Sequence, residues 1–203
     1  MSEPATYHSY IGDHKQAYQD FIAWSREATV SGTCGLFIPY ESLRDYFNEP
    51  GRLSQLLIAS YPEVAQPHIR PRSILSNGYC RVFAILFKLG KGRFISRFIS
   101  HSDLSDRCLP FIARSPNFPT ASDGDLFEAF CKEQWMYCAQ ELRFNAVDQK
   151  FESECILPII SKEEIARGGS AVVHKITVHP SYDRLSPTSS TPEVYYSYCC
   201  VIG

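Results

Sequence analysis

The sequence predicts a mainly α protein, a helical N-terminal domain followed by a β-hairpin. Three observations predict it. Apolar side chains recur at helical spacing through much of residues 13–140, and Pro and Gly separate one run from the next. From about residue 156 the chain shifts to extended pieces, and residues 161–180 read as two strands around Gly168 and Gly169. Hydrophobic residues make up 44% and charged residues 21% of the 203, an ordinary balance for a chain that buries a real core.

Each element follows from local chemistry. Residues 1–12 read as a leader, and Asp13 is a fair N-cap for a helix whose stripe is Ala17, Tyr18, Phe21, Ile22 and Trp24. Ser31-Gly32-Thr33 breaks that helix. Pro39 opens a second, with Leu43, Tyr46 and Phe47 on one face. Pro50-Gly51 marks a turn, and Leu53, Leu56, Leu57 and Tyr61 continue into a third helix that Pro62 ends. Pro62, Pro67 and Pro71 make residues 62–72 a loop. Val82, Phe83, Ile85, Leu86 and Leu89 are apolar almost all round, which predicts the most buried helix. Gly90 and Gly92 interrupt it before Phe94, Ile95, Phe98 and Ile99 start another. Residues 102–122 form a long loop that Phe111 and Phe118 can pin to the surface. Asp123 or Asp125 caps a last strong helix, with Phe127, Phe130, Cys131, Trp135 and Cys138 inward. The tail after residue 186 reads as a Ser/Thr/Pro linker and a short apolar run, expected to be disordered.

Charge and cysteine usage exclude several classes. The net charge is -2 and the pI about 6.3, so a nucleic-acid coat or a polybasic membrane binder is not favoured. No run approaches the roughly 18 apolar residues of a membrane helix, and the N-terminus lacks a secretory pattern. A cytoplasmic or nuclear compartment is expected. The eight cysteines contain no CxxC pair. Cys131 and Cys138 are expected two turns apart on one helix face, which does not surround a metal.

The most informative stretch is ILPIISKEEIARGGSAVVHKITVHPSYDRL, residues 156–185. Two strands joined by glycines make a flap whose backbone can approach phosphate oxygens closely. Its core resembles the glycine-rich loop of protein kinases, G-x-G-x-x-G-x-V. Ala166 then takes the first glycine place, Gly168 the second and Ala171 the third, with Gly169 beside them and Val173 as the valine over the adenine ring. Leu157-Pro158 before the loop, and Lys175-Ile176-Thr177-Val178-His179-Pro180 after it, are similar to the kinase opening of a group of fungal serine/threonine kinase-like proteins. Upstream segments, among them FIPYESLRDYF and KEQWMYCAQELRFN, extend the resemblance over residues 36–185. The resemblance implies a protein-kinase-like N-lobe with ATP and Mg as the family's ligands. It implies Ala166, Gly168, Gly169, Ala171 and Val173 as the nucleotide-binding positions.

The departures are equally specific. Only one of the three glycine places holds glycine. Residues 193–203 contain no lysine for the third strand, and the H-R-D and D-F-G motifs are absent. No catalytic residue carries over, no phosphoryl transfer is expected of these residues, and the chain reads as the truncated start of a kinase domain. The alternative is a non-catalytic helical interaction module with a vestigial hairpin, its partner another protein.

Other candidates read as structure. Lys88, Lys91, Arg93 and Arg97 around Gly90 and Gly92 look like a solvated face beside a helix turn rather than a phosphate site. GKG lacks the spacing of a Walker A loop. His101 lies near Asp103, Asp106 and Cys108, but sequence neighbours rarely form a nucleophile pair; the two aspartates read as caps of a turn. The aromatics read as core, not as stacking platforms for bases. The expected organisation is a helical regulatory or interaction domain over 13–150, the kinase-like start over 156–185, and a tail over 186–203.

Overall fold

The computed structural model describes residues 6–61, 68–120, 125–143, 153–168, 172–185 and 196–200. Among the described residues, seven α-helices account for most of the regular structure. They are α1 (Thr6–Glu27), α2 (Tyr40–Asn48), α3 (Arg52–Ser60), α4 (Pro71–Leu75), α5 (Cys80–Lys88), α6 (Ile95–Ile99) and α7 (Leu126–Gln134). The strands are β1 (Val30–Gly32), β2 (Gly35–Phe37), β3 (Leu142–Arg143), β4 (Ile159–Arg167), β5 (Val172–Val178), β6 (Asp183–Arg184) and β7 (Tyr196–Cys200). The protein is mainly α with small sheets. No helix among the described residues is long and apolar enough to cross a membrane.

The punctuation residues act where their chemistry requires. Pro39 precedes α2, and Gly51 takes the left-handed φ of 76° that starts α3. Gly90 ends α5 with φ 67°. Asp125 caps α7 by accepting the backbone N–H groups of Phe127 and Glu128. Helix α5 is buried at seven of its nine positions. Phe47, Phe83 and Phe87 pack in series along one side, and Phe21 meets Phe87 edge-on at 5.2 Å. A second aromatic cluster holds the long loop: Phe118 meets Phe98 at 5.2 Å, Phe127 at 5.0 Å and Phe130 at 5.7 Å. Gln134, 1% exposed, fixes that loop with polar bonds. Its Oε1 accepts the Phe111 N–H at 2.7 Å, and its Nε2 donates to the Phe111 carbonyl at 3.1 Å.

Several expectations need correction. Helix α1 starts at Thr6, so residues 6–12 are helical and Asp13 lies inside the helix. Asp123 lies outside the described residues. Helix α7 ends at Gln134 and tightens to a 3-10 turn at Trp135–Tyr137. Cys131 and Cys138 therefore do not share a helix face. The segment before Pro39 forms an antiparallel hairpin, β1 with β2, with Gly32 opposite Gly35. Its strands have three residues each, too few for a readable period, and its support comes from a distant partner. The Thr33 N–H donates to the Ile159 carbonyl at 2.7 Å. Cys199 and Cys200, part of the tail read as a disordered run, belong to strand β7.

Strands β4, β5 and β7 form one antiparallel sheet with β5 in the middle. Strand β4 is buried only at Ile159 and exposed at its other eight positions. Strand β5 supplies the buried face through Val172, Ile176 and Val178. Short β3 pairs in parallel with β6, tying residue 142 to residue 183. The segment after β5 docks on the helical body. Phe37 of β2, fully buried, meets His179 at 5.6 Å and Tyr182 at 5.8 Å, both edge-on. The Tyr40 N–H at the start of α2 donates to the Tyr182 hydroxyl at 3.1 Å, and Ser181 Oγ donates to Glu41 at 2.7 Å. A free helix N-terminus is thus satisfied by a residue 142 positions away.

Candidate functional site

Two places are candidates for function, the β4–β5 hairpin and a polar cleft lined by residues from Tyr40 to Arg184. In the hairpin, Ala166 is the Cα partner of Val173, and Arg167 of Val172. A register shift between Glu164 and Ala166 leaves Ile165 as the extra residue of a bulge; its side chain is 54% exposed. Gly168 follows β4 and is exposed. Val173 is half-buried in the middle strand and faces Cys199 of β7 in the ladder. Ala166, Gly168 and Val173 thus lie at one end of the hairpin. Gly169 and Ala171 lie outside the described residues.

One ion pair sits near the end of β4. Glu164 accepts from Arg167 through two bonds of 2.9 and 2.7 Å. That contact holds the Glu164 carboxyl below its ordinary range. Glu163 is the Cα partner of Lys175 and Glu164 of His174. Val173 offers an apolar surface and Gly168 an open backbone, both suited to the covering part of a nucleotide site. Strand β7, in the third position, holds no lysine, so it offers no cation for a phosphate.

The cleft lies between the helical body and the segment around Tyr182, with a volume of about 640 Å³. Its walls are polar. Arg81, in the first turn of α5, stacks over the Tyr40 ring at 4.6 Å. The Arg81 Nε is buried and has no hydrogen-bond partner. Asp106 accepts the backbone N–H groups of Arg81 at 3.0 Å and Val82 at 2.9 Å. It is the remote cap of α5, not the cap of its own turn. Burial pushes the Asp106 carboxyl above its ordinary range, against those N–H groups and the nearby Arg81. Arg107 also lines the cleft, and among the described residues its side chain makes no hydrogen bond or ion pair. On the opposite wall Glu141 holds Arg143 at 3.0 Å and Arg184 at 3.7 Å.

Nothing in the sequence marked this cleft. Its arginines are spread over a hundred positions; Glu41, Glu141, Arg143 and Arg184 fell within the segments of the resemblance, but nothing in those segments marked them as one site. The other candidates resolve as structure. Lys88 leaves the expected basic face and pairs with Glu133 at 2.5 Å, half-buried. Asp103 accepts from Ser115 and Asn117, which hold its carboxyl below the ordinary range. The Cys108 thiol donates to the Ser102 carbonyl at 3.7 Å, and no bond joins it to His101. Burial pushes the Cys80 and Cys138 thiols up to about 12, which removes them as nucleophiles. Among the described residues no three His, Cys, Asp or Glu side chains converge as a metal site needs.

No protein-family model matches the chain, and neither a curated protein nor a solved structure does. The functional reading therefore rests on residues and geometry.

Proposed function

We propose that this chain carries the N-terminal part of a serine/threonine protein kinase-like protein, with a helical domain joined to the opening strands of a kinase N-lobe. ATP with Mg is the ligand class of that reading. Ala166, Gly168, Gly169, Ala171 and Val173 are its nucleotide-facing positions. The observation that supports it most is the coincidence of motif and topology. The glycine-containing segment connects the two arms of an antiparallel hairpin, and the second arm is the middle of three strands in the order β4-β5-β7. Such a hairpin, with Val173 on the central strand, suits a flap over phosphates. The missing lysine in β7 limits the reading to nucleotide contact without phosphoryl transfer.

The bare third strand favours a second reading, a helical interaction module that retains the hairpin without its ligand. Calorimetry of Mg-ATP against the 203-residue chain separates the two, with the double variant Gly168→Asp, Gly169→Asp as control. Saturable binding that the variant abolishes supports the flap. Absence of binding, with the variant and the parent equally folded by circular dichroism, would leave the interaction module as the better account.

A further inference from the structure

We propose that the cleft between α5 and the docking segment is a binding site for a phosphomonoester of a small polar molecule. This is independent of the hairpin reading. The first turn of a helix favours negative charge, so a cation there is electrostatically misplaced. Arg81 is the second residue of α5, its guanidinium is held by the Tyr40 ring, and its Nε is buried without an acceptor. Arg81 lines the cleft, where its charge can pair with an oxyanion.

The charges around it leave room for such an anion. Asp106 interacts with Arg81, but both its oxygens are engaged by backbone N–H groups of α5. Glu41 accepts from Ser181, and Glu141 is shared by Arg143 and Arg184. Every carboxylate lining the cleft has a partner, whereas the Arg107 side chain has none among the described residues, and Arg81 has the Tyr40 ring and the neighbouring Asp106. Four arginines thus line the cleft, Arg81, Arg107, Arg143 and Arg184, and the last two share one carboxylate. Arginine's planar fork suits phosphate oxygens. The volume, about 640 Å³, exceeds what phosphate alone fills, and the polar walls suit a hydroxyl-rich remainder.

Calorimetry and thermal unfolding of the full chain at low salt test this, with inorganic phosphate, ribose 5-phosphate and ribose as probes. Phosphate and ribose 5-phosphate should bind and raise the melting temperature, and ribose should do neither. Arg107→Met removes an exposed, unpaired side chain, so the fold should be kept while affinity drops about tenfold or more. Glu141→Gln frees Arg143 and Arg184 and should tighten binding. Arg52→Met deletes a distant charge paired with Glu49 and should change nothing. Dissociation constants weaker than about 10 mM for both phosphate probes would overturn the proposal. So would equal binding of ribose, or a loss in Arg52→Met matching that in Arg107→Met.

Discussion

Gln134 offers the sharpest test of how the helical body is held. Replacing it with alanine leaves the Phe111 N–H without its acceptor in a buried position. An unsatisfied buried group of this kind costs about 1–3 kcal/mol. The Phe111 carbonyl suffers less, because the Cys131 thiol donates to it at 3.4 Å. The removed amide also leaves a cavity beside Phe130, so the total should reach about 2–4 kcal/mol. For a chain of this length that lowers the melting temperature by about 4–16 °C. Gln134→Glu sharpens the test. Its carboxylate can accept the Phe111 N–H, but at neutral pH its second oxygen faces the Phe111 carbonyl with no proton to donate. Burial and that repulsion raise the folded-state pKa above the unfolded value, so stability is lost at pH 7 and returns as pH falls through the folded pKa. Urea titrations at pH 7 and pH 5 read both variants. A loss below about 0.5 kcal/mol in Gln134→Ala would refute the clamp, and so would a Gln134→Glu protein whose deficit grows as pH is lowered.

Three further outcomes follow from the same geometry. Asp106→Ala should cost about 1–3 kcal/mol by uncapping α5, and Asp106→Asn less, read by chemical denaturation. Gly92→Ala would place a Cβ 2.2 Å from Ser60 Oγ and 2.9 Å from Ser60 Cβ. It should destabilise by about 1–3 kcal/mol, with partial recovery in the double variant Gly92→Ala, Ser60→Gly. Burial between Phe37 and Tyr182 lowers the His179 pKa, with Glu41 opposing, and its Nδ1 accepts the Ser181 N–H. The neutral form is therefore the folded form. Its contribution is complete above the ordinary pKa of 6.5 and is lost as pH falls below it, so the melting temperature should drop less between pH 7 and pH 5 in His179→Asn than in the parent.

What the sequence disclosed, and what it withheld, divides along a physical line. Helices α2, α3 and α5 were legible because Pro39, Gly51 and Gly90 punctuate strong apolar stripes. Phe111 and Phe118 announced that the long loop is pinned inward. The β1–β2 hairpin was not legible, because three-residue strands carry no period and the bond from Thr33 to Ile159 crosses 126 positions. Strand β7 was hidden for the same reason: Tyr196–Cys200 gains its meaning only beside β5. Asp106 looked like a local turn cap, and only the fold brings it to α5. The cleft was beyond reach, since charge spacing along a chain says nothing about which arginines share a wall.

The seating of Tyr182 and His179 on Phe37 has a consequence for how this molecule comes apart. The aromatic contacts and the Thr33–Ile159 and Tyr40–Tyr182 bonds all cross between the helical body and the segment that follows residue 156. Pulling that segment away exposes Phe37 to water and strips an acceptor from the start of α2. Neither part loses its neighbour without losing some of its own order. Heating should therefore melt them together in one cooperative step, and cutting the chain at residue 156 should yield two sticky pieces instead of two domains.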